Sequence, residues 1–375
     1  MRNIVFFLLF LILLIENNSN QCWGQKRSGE RRIVASVVNP VQDIIKTVTP
    51  IGTPSSNFPV AALSHFQVAS QYSVRIESVL WRNSTTNPSN ISALVYYPEQ
   101  VQHLCPVIIY SHGLGTNPND YDYLARKWAS VGLITVLLHH YGSDEAAWRG
   151  RGRPLSELKL LYSKYWSARD RGLLIQQAIE QLTSSKQQYG FSPIIDPGRI
   201  GVAGNDLGAL GAMLIAGQLP PDNKQSLKDP RVTAILALSP PVYCSSSQAP
   251  LVYYNINVPF MSFAGTNDDG VVGTTKAIQR RIPFDSLSKN DRFHVTLNGA
   301  DHLVYSGHRR PSRQTEDLKY QQMISNLSAS FWLAYLVGDA ESLSRLNSLT
   351  RTLPASLGII EYHNALTSRM NVSIQ

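Results

Sequence analysis

The stretch Arg199-Ile-Gly-Val-Ala-Gly204-Asn205-Asp206-Leu207-Gly208-Ala209 decides the fold. Its first half is a short apolar run, as expected of a strand buried on both faces. Its second half opens the small-residue segment Leu207–Ala216, which has the composition of a packed helix. Between them lies a sharp strand-to-helix turn with Asp206 at its apex. Glycine stands two positions before and two after, because an apex held in a strained turn needs small flanks. Such a turn lifts the apex side chain above the sheet at a helix N-terminus. Free N–H groups and the positive end of the helix dipole favour an anion there, so a carboxylate is well placed.

Working outward, Pro106–Tyr110, Leu133–Leu138, Val232–Leu238, Val258–Phe263 and Phe293–Leu297 are apolar runs of the same kind. Helices are expected near Asp120–Ser130, over Ser167–Leu182, where the spacing is helical, and over Thr315–Val337. Strands alternating with helices predict a parallel sheet with right-handed crossovers. Ahead of them Tyr72–Trp81 and Asn90–Tyr97 alternate in polarity around a polar turn, which predicts an N-terminal antiparallel hairpin. The expected class is therefore α/β, a mostly parallel sheet flanked by helices with that hairpin in front. The domain is expected over 71–340, with 26–70 as a linker extension and 341–375 as a C-terminal extension. Residues 143–166 show no clear period and hold Trp148, Arg149, Arg151, Arg153, Tyr162, Tyr165 and Trp166. They follow a strand's carboxyl end, where ligands bind in open sheets, and read either as a lid over a pocket or as a surface loop-helix.

The chain has 375 residues, 43% hydrophobic and 16% charged, which is globular composition and excludes a fibrous or disordered chain. Arg2 followed by the apolar run Ile4–Ile15 and a polar stretch predicts a secretory signal over 1–25 and an exported protein. The absence of a clean small-x-small cleavage site keeps an uncleaved N-terminal membrane anchor open as the alternative. The net charge of +8 is scattered, with no basic helix or aromatic-interleaved strip, so no nucleic-acid partner is expected. A basic balance gives weak support for a membrane surface. Arg309, Arg310 and Arg313 form the densest patch of the second half and read as a solvated loop. Cys105 and Cys244 fall at opposite ends of a parallel sheet, so no disulfide is expected between them. His139 and His140 are adjacent at a strand end and should point to opposite faces, which argues against a metal pair. No motif calls for a cofactor or a metal; the expected partner is a small-molecule substrate.

Two further segments complete a constellation. Gly265-Thr-Asn-Asp268 follows one apolar strand and places a carboxylate at its carboxyl end; Asp268 is favoured over its neighbour Asp269 from the spacing to Gly265. Gly299-Ala-Asp-His302 follows the next strand and places an imidazole there. The order is apex residue, acid, histidine, as in the G-x-S-x-G elbow pattern, here with Asp206 at the apex. His302 fits a general base oriented by Asp268. His112-Gly113-Leu114 lies in a loop after an earlier strand, and the backbone N–H groups of Leu114 and Leu207 are candidates for an oxyanion hole.

With these motifs the chain resembles α/β-hydrolases of the dienelactone hydrolase and platelet-activating-factor acetylhydrolase-like branch. The resemblance runs from about Pro106 to His302. It rests on Ser111-His-Gly-Leu-Gly115, Gly142-Ser-Asp144 followed by Trp148-Arg149, Asp196-Pro-Gly-Arg-Ile-Gly201, the elbow, Gly265–Asp268 and Gly299–His302. It implies the α/β-hydrolase fold and a hydrolase of a small ester, lactone or similar substrate. The departure is at the elbow, where the family would show Gly-His-Ser and this chain has Gly204-Asn205-Asp206.

Aspartate changes the chemistry. Attack on an ester carbonyl would give a mixed anhydride, whereas displacement at saturated carbon gives an alkyl ester that activated water hydrolyses. Haloalkane dehalogenases and epoxide hydrolases share this fold and use G-x-D-x-G in that way, although this chain has Leu207 where they usually carry an aromatic residue. Three readings stay open from the sequence: Asp206 as nucleophile, Asp206 as a base on water, and a catalytically silent binding protein that lost its elbow serine.

Overall fold

The computed structural model describes residues 67–81, 90–164, 168–184, 189–220, 225–307 and 311–365, all within one unit, Ser55–Gln375. The expected signal over 1–25, most of the 26–70 extension, Arg309 and Arg310 lie outside the described residues. So do Tyr165 and Trp166.

Nine strands form one sheet: β1 (Val74–Trp81), β2 (Ile91–Pro98), β3 (Cys105–Ser111), β4 (Ile134–Leu138), β5 (Ile195–Asn205), β6 (Val232–Leu238), β7 (Phe260–Asn267), β8 (Arg292–Asp301) and β9 (Gly358–His363). Their order is β1-β2-β4-β3-β5-β6-β7-β8-β9. The run from β4 to β8 is parallel throughout, while β1 with β2, β2 with β4 and β8 with β9 are antiparallel. The central strands carry apolar side chains on both faces because both faces are covered. Along β3, Val107 and Ile109 enter one core while Ile108 and Tyr110 enter the other.

The first core is closed by α3 (Ala168–Thr183), α4 (Leu207–Ala216), α5 (Ala249–Tyr253) and α6 (Ile282–Ser286), the second by α1 (Asp122–Ser130), α7 (Pro311–Trp332) and α8 (Ala340–Thr352). A further helix, α2 (Pro154–Lys164), lies within the 143–166 stretch. The class is thus α/β, a mostly parallel sheet between two helical layers. β1 and β2 pair antiparallel over eight residues each; the residues that join them, 82–89, lie outside the described residues.

Three details differ from the reading of the sequence. The chain beyond 340 is not an appendage to the sheet, since α8 packs Leu346 and Leu349 into the second core and β9 adds the last strand. Arg313 lies within α7 rather than in a loop. Strands β5, β7 and β8 run past the apolar segments into polar residues, because ladder hydrogen bonds continue where the side chains no longer need an apolar face. No helix among the described residues is long and apolar enough to cross a membrane.

That strand extension positions the site. β5 ends at Asn205, β7 at Asn267 and β8 at Asp301, so Asp206, Asp268 and His302 are each the first residue past a parallel strand.

Candidate active site

Asp206 adopts φ 50° and ψ −117°, a positive φ that a non-glycine residue holds only when its surroundings enforce it. The enforcement is visible. A Cβ on Gly208 would lie 1.9 Å from the Ser111 carbonyl oxygen, and one on Gly204 would lie 2.3 Å from the Gly208 backbone. The elbow is therefore pressed against the loop after β3, and glycine is required at both flanks. The Asp206 N–H donates to Leu238 O at 3.0 Å, and its carbonyl accepts from Leu210 N–H at 3.0 Å, which starts α4. From Ile200 to Gln218, Asp206 alone is not buried. The Leu207 N–H opens α4 and so has no acceptor within its own helix.

Asp268 is fully buried, and its carboxylate takes donors on both oxygens. Oδ1 faces His302 Nδ1 at 2.8 Å, Ser239 Oγ at 2.9 Å and Arg280 Nε at 3.1 Å. Oδ2 accepts from Tyr305 O–H at 3.1 Å and from Gly265 N–H at 3.4 Å. Burial pushes the Tyr305 phenol well above its ordinary value, so it is a donor to the carboxylate. Asp269, the alternative acid, is half-exposed and serves Lys276 Nζ and the Ala277 N–H instead. The structure thus brings Asp268 and His302 together. No hydrogen bond among the described residues joins His302 to Asp206; both lie past the same end of the parallel strands.

The loop carrying Leu114 is held from two sides. Tyr121 O–H accepts from Gly113 N–H at 3.3 Å and Asn205 Nδ2 at 3.0 Å, and it faces Thr116 Oγ1 at 3.1 Å. Thr116 in turn donates to Gly113 O. Burial raises the Tyr121 phenol to about 12, so it keeps its proton. On the other side the buried Arg171 donates to His112 O at 2.5 Å and to Ser143 Oγ at 3.2 Å. Burial lowers that guanidinium to about 10, which still leaves it charged at neutral pH. His112 is held well below the ordinary imidazole value, first by burial and then by the Arg171 charge. A neutral ring fits its two contacts: Nδ1 faces Gly113 O at 2.8 Å while Nε2 accepts the His140 N–H at 3.1 Å. His112 therefore shapes the loop.

No family model and no curated protein matches this chain.

The 143–166 stretch packs onto these loops. Trp148 Nε1 donates to Gly115 O at 2.8 Å, and Tyr162 of α2 meets Tyr243 with hydroxyls 3.0 Å apart. Burial raises Tyr162 to about 12 and Tyr243 further, and the Asp206 charge acts on both phenols in the same direction. Both keep their protons and can donate hydrogen bonds.

His139 and His140 do not converge: His139 Nε2 pairs with Asp144 at 2.7 Å and His140 Nε2 with Ser111 Oγ at 2.7 Å. No cluster of His, Cys, Asp or Glu among the described residues could hold a metal ion. Cys105 and Cys244 are free thiols. Reading the sequence missed Ser239, Arg280, Tyr305, Tyr121, Arg171 and Tyr243. Ser239 alone carried a usable signal, as the residue just past an apolar strand.

Proposed function

We propose that this chain is an α/β-hydrolase-fold hydrolase of a small ester, lactone or related substrate with an oxygen leaving group, working through Asp206, His302 and Asp268. Asp206 attacks the saturated carbon that bears the leaving oxygen. A C–O bond forms to the Asp206 carboxylate, the bond to the leaving oxygen breaks, and an alkyl ester of Asp206 results. His302 then takes a proton from water, and the resulting hydroxide adds to the Asp206 ester carbonyl. The Leu114 and Leu207 N–H groups stabilise the developing oxyanion. Collapse expels the alkoxide, which takes the proton back from His302 and leaves as the alcohol, while the carboxyl of Asp206 gives up its own proton to solvent and is restored as the carboxylate.

The observation that carries this reading is the strained, accessible Asp206 past the same strand ends as a His302–Asp268 pair joined at 2.8 Å. Strain of this kind is kept at sites that use it. The Trp148 N–H donates to Gly115 O and so is not available to hold a halide leaving group. The apolar run Ile4–Ile15 supports export and so a substrate met outside the cytoplasm.

A single turnover in heavy-oxygen water tests the mechanism with short esters, lactones and epoxides. Label is expected in the Asp206 carboxylate, read by peptide mass spectrometry. Label in product alone would mean that Asp206 acts as a base on water. No turnover on any class would leave a binding protein.

A further inference from the structure

Arg280 is 1% exposed and belongs to the one-turn segment Ala277–Arg281, outside every motif of the sequence. Its Nε donates to the Asp268 main-chain oxygen at 2.7 Å and lies 3.1 Å from Asp268 Oδ1. Its Nη1 donates to Ser239 O at 2.7 Å, and its Nη2 lies 3.3 Å from His302 Nδ1. One buried cation thus ties together the residues just past β6, β7 and β8. Ser239 itself sits at φ 50°, a second strained non-glycine residue at this end of the sheet.

The contact with His302 is the informative one. When Nδ1 carries the proton that it gives Asp268, Nη2 meets it donor to donor. That juxtaposition is tolerable beside a neutral ring and repulsive beside an imidazolium. Asp268, meanwhile, divides its charge between the ring and the guanidinium. We propose that Arg280 is a positioning residue whose charge, committed to Asp268, governs how readily His302 takes a proton. For turnover this rests on the function proposed above: displacement by Asp206 needs no proton removed in its first step, and the base is needed only to activate water in the second.

The charged and titratable groups around this centre are Asp268, Asp269 and Lys276 after β7, Tyr305 after β8, Tyr243 after β6, Tyr162 on α2, and Asp206. Of these only Asp268 touches Nδ1, together with Arg280 and the neutral Ser239.

Carbethoxylation of His302 by diethylpyrocarbonate, followed by peptide mass spectrometry as a function of pH, reads the proton directly because only the neutral ring reacts. Arg280→Gln is expected to move the half-reaction pH up by about one unit, since a like charge beside the ring is removed. Arg280→Lys should leave it near the wild-type value. A merely structural Arg280 would change thermal stability and leave the pH dependence in place. Should Arg280→Gln fail to fold, Asp268→Asn is compared with Asp268→Asn/Arg280→Gln, in which no buried charge is left unpaired. The double variant should again titrate about one unit higher than the single. An unchanged half-reaction pH in either comparison overturns the proposal. The readout needs no substrate, so it stands whatever the heavy-oxygen experiment returns.

Discussion

On the function proposed above, Asp206 stands where a serine would find the other parts of a hydrolase site at hand. The elbow geometry, the His302–Asp268 hydrogen bond and the loop holding Leu114 all surround a side chain that differs from serine only in its reacting group. Asp206→Ser is therefore expected to create hydrolysis of short-chain aryl esters at least tenfold above the wild-type background, because a general base contributes that much or more when its nucleophile is supplied. Initial rates with an aryl acetate measure this. A folded Asp206→Ser protein with no rate above background would mean that His302 does not reach the apex. The three residues of this argument are legible in the sequence because each follows a short apolar run within five residues. Arg280, Tyr305 and Tyr121 are not, because each is defined by a partner on another loop. Arg280 is 12 residues from Asp268, Tyr305 is 37 and Tyr121 is 84 from Asn205. An arginine in a short polar segment looks solvated until the fold closes over it.

At the scale of elements, the site depends on how firmly the loop after β3 is fastened to the β5–α4 elbow. The fastening is Tyr121, whose hydroxyl receives one bond from each side. Tyr121→Phe keeps the ring in its core and strands the Gly113 N–H and Asn205 Nδ2, at about 1–3 kcal/mol for each buried donor left unmade. Thermal unfolding should show Tm lower by several degrees. In the Asp206→Ser background the aryl-ester kcat should fall by about tenfold with KM nearly unchanged if the loop holds the oxyanion as proposed, because loosening it then weakens only the transition state. An equal loss in kcat and gain in KM would show that the loop binds substrate rather than orienting it. Element types are well legible here, since β3, β4 and β6 are continuous apolar runs. Strand ends are less so. Asn267 pairs with Asp301 across β7 and β8, and nothing in two polar residues announces a ladder.

At the scale of the whole molecule, the sheet decides where the domain ends. A break at 340 looks reasonable in the sequence because the last long helix stops near there and the remainder is polar on average. The physical balance is different. α8, β9 and the turn between them bury Leu346, Leu349, Leu357 and Ile360 in the second core, and Tyr362 stacks on Phe293 with ring centroids 4.4 Å apart. The four aliphatic side chains alone contribute roughly 6–12 kcal/mol of burial, comparable to the whole stability of an ordinary domain, about 5–15 kcal/mol. Truncation after Gly338 would also bare the edge of β8, which β9 covers through six residue pairs from Arg292–His363 to Leu297–Gly358, and a bared apolar edge invites aggregation. Since β8 delivers His302, its loss of register would carry the histidine away from Asp268. The truncated chain is expected to be insoluble or to lack the cooperative thermal transition of the full-length chain. Circular dichroism melts of the two proteins decide it. A cooperative melt of the shorter chain at the full-length Tm would restore the boundary at 340 and make the ninth strand an accessory to a site that stands without it.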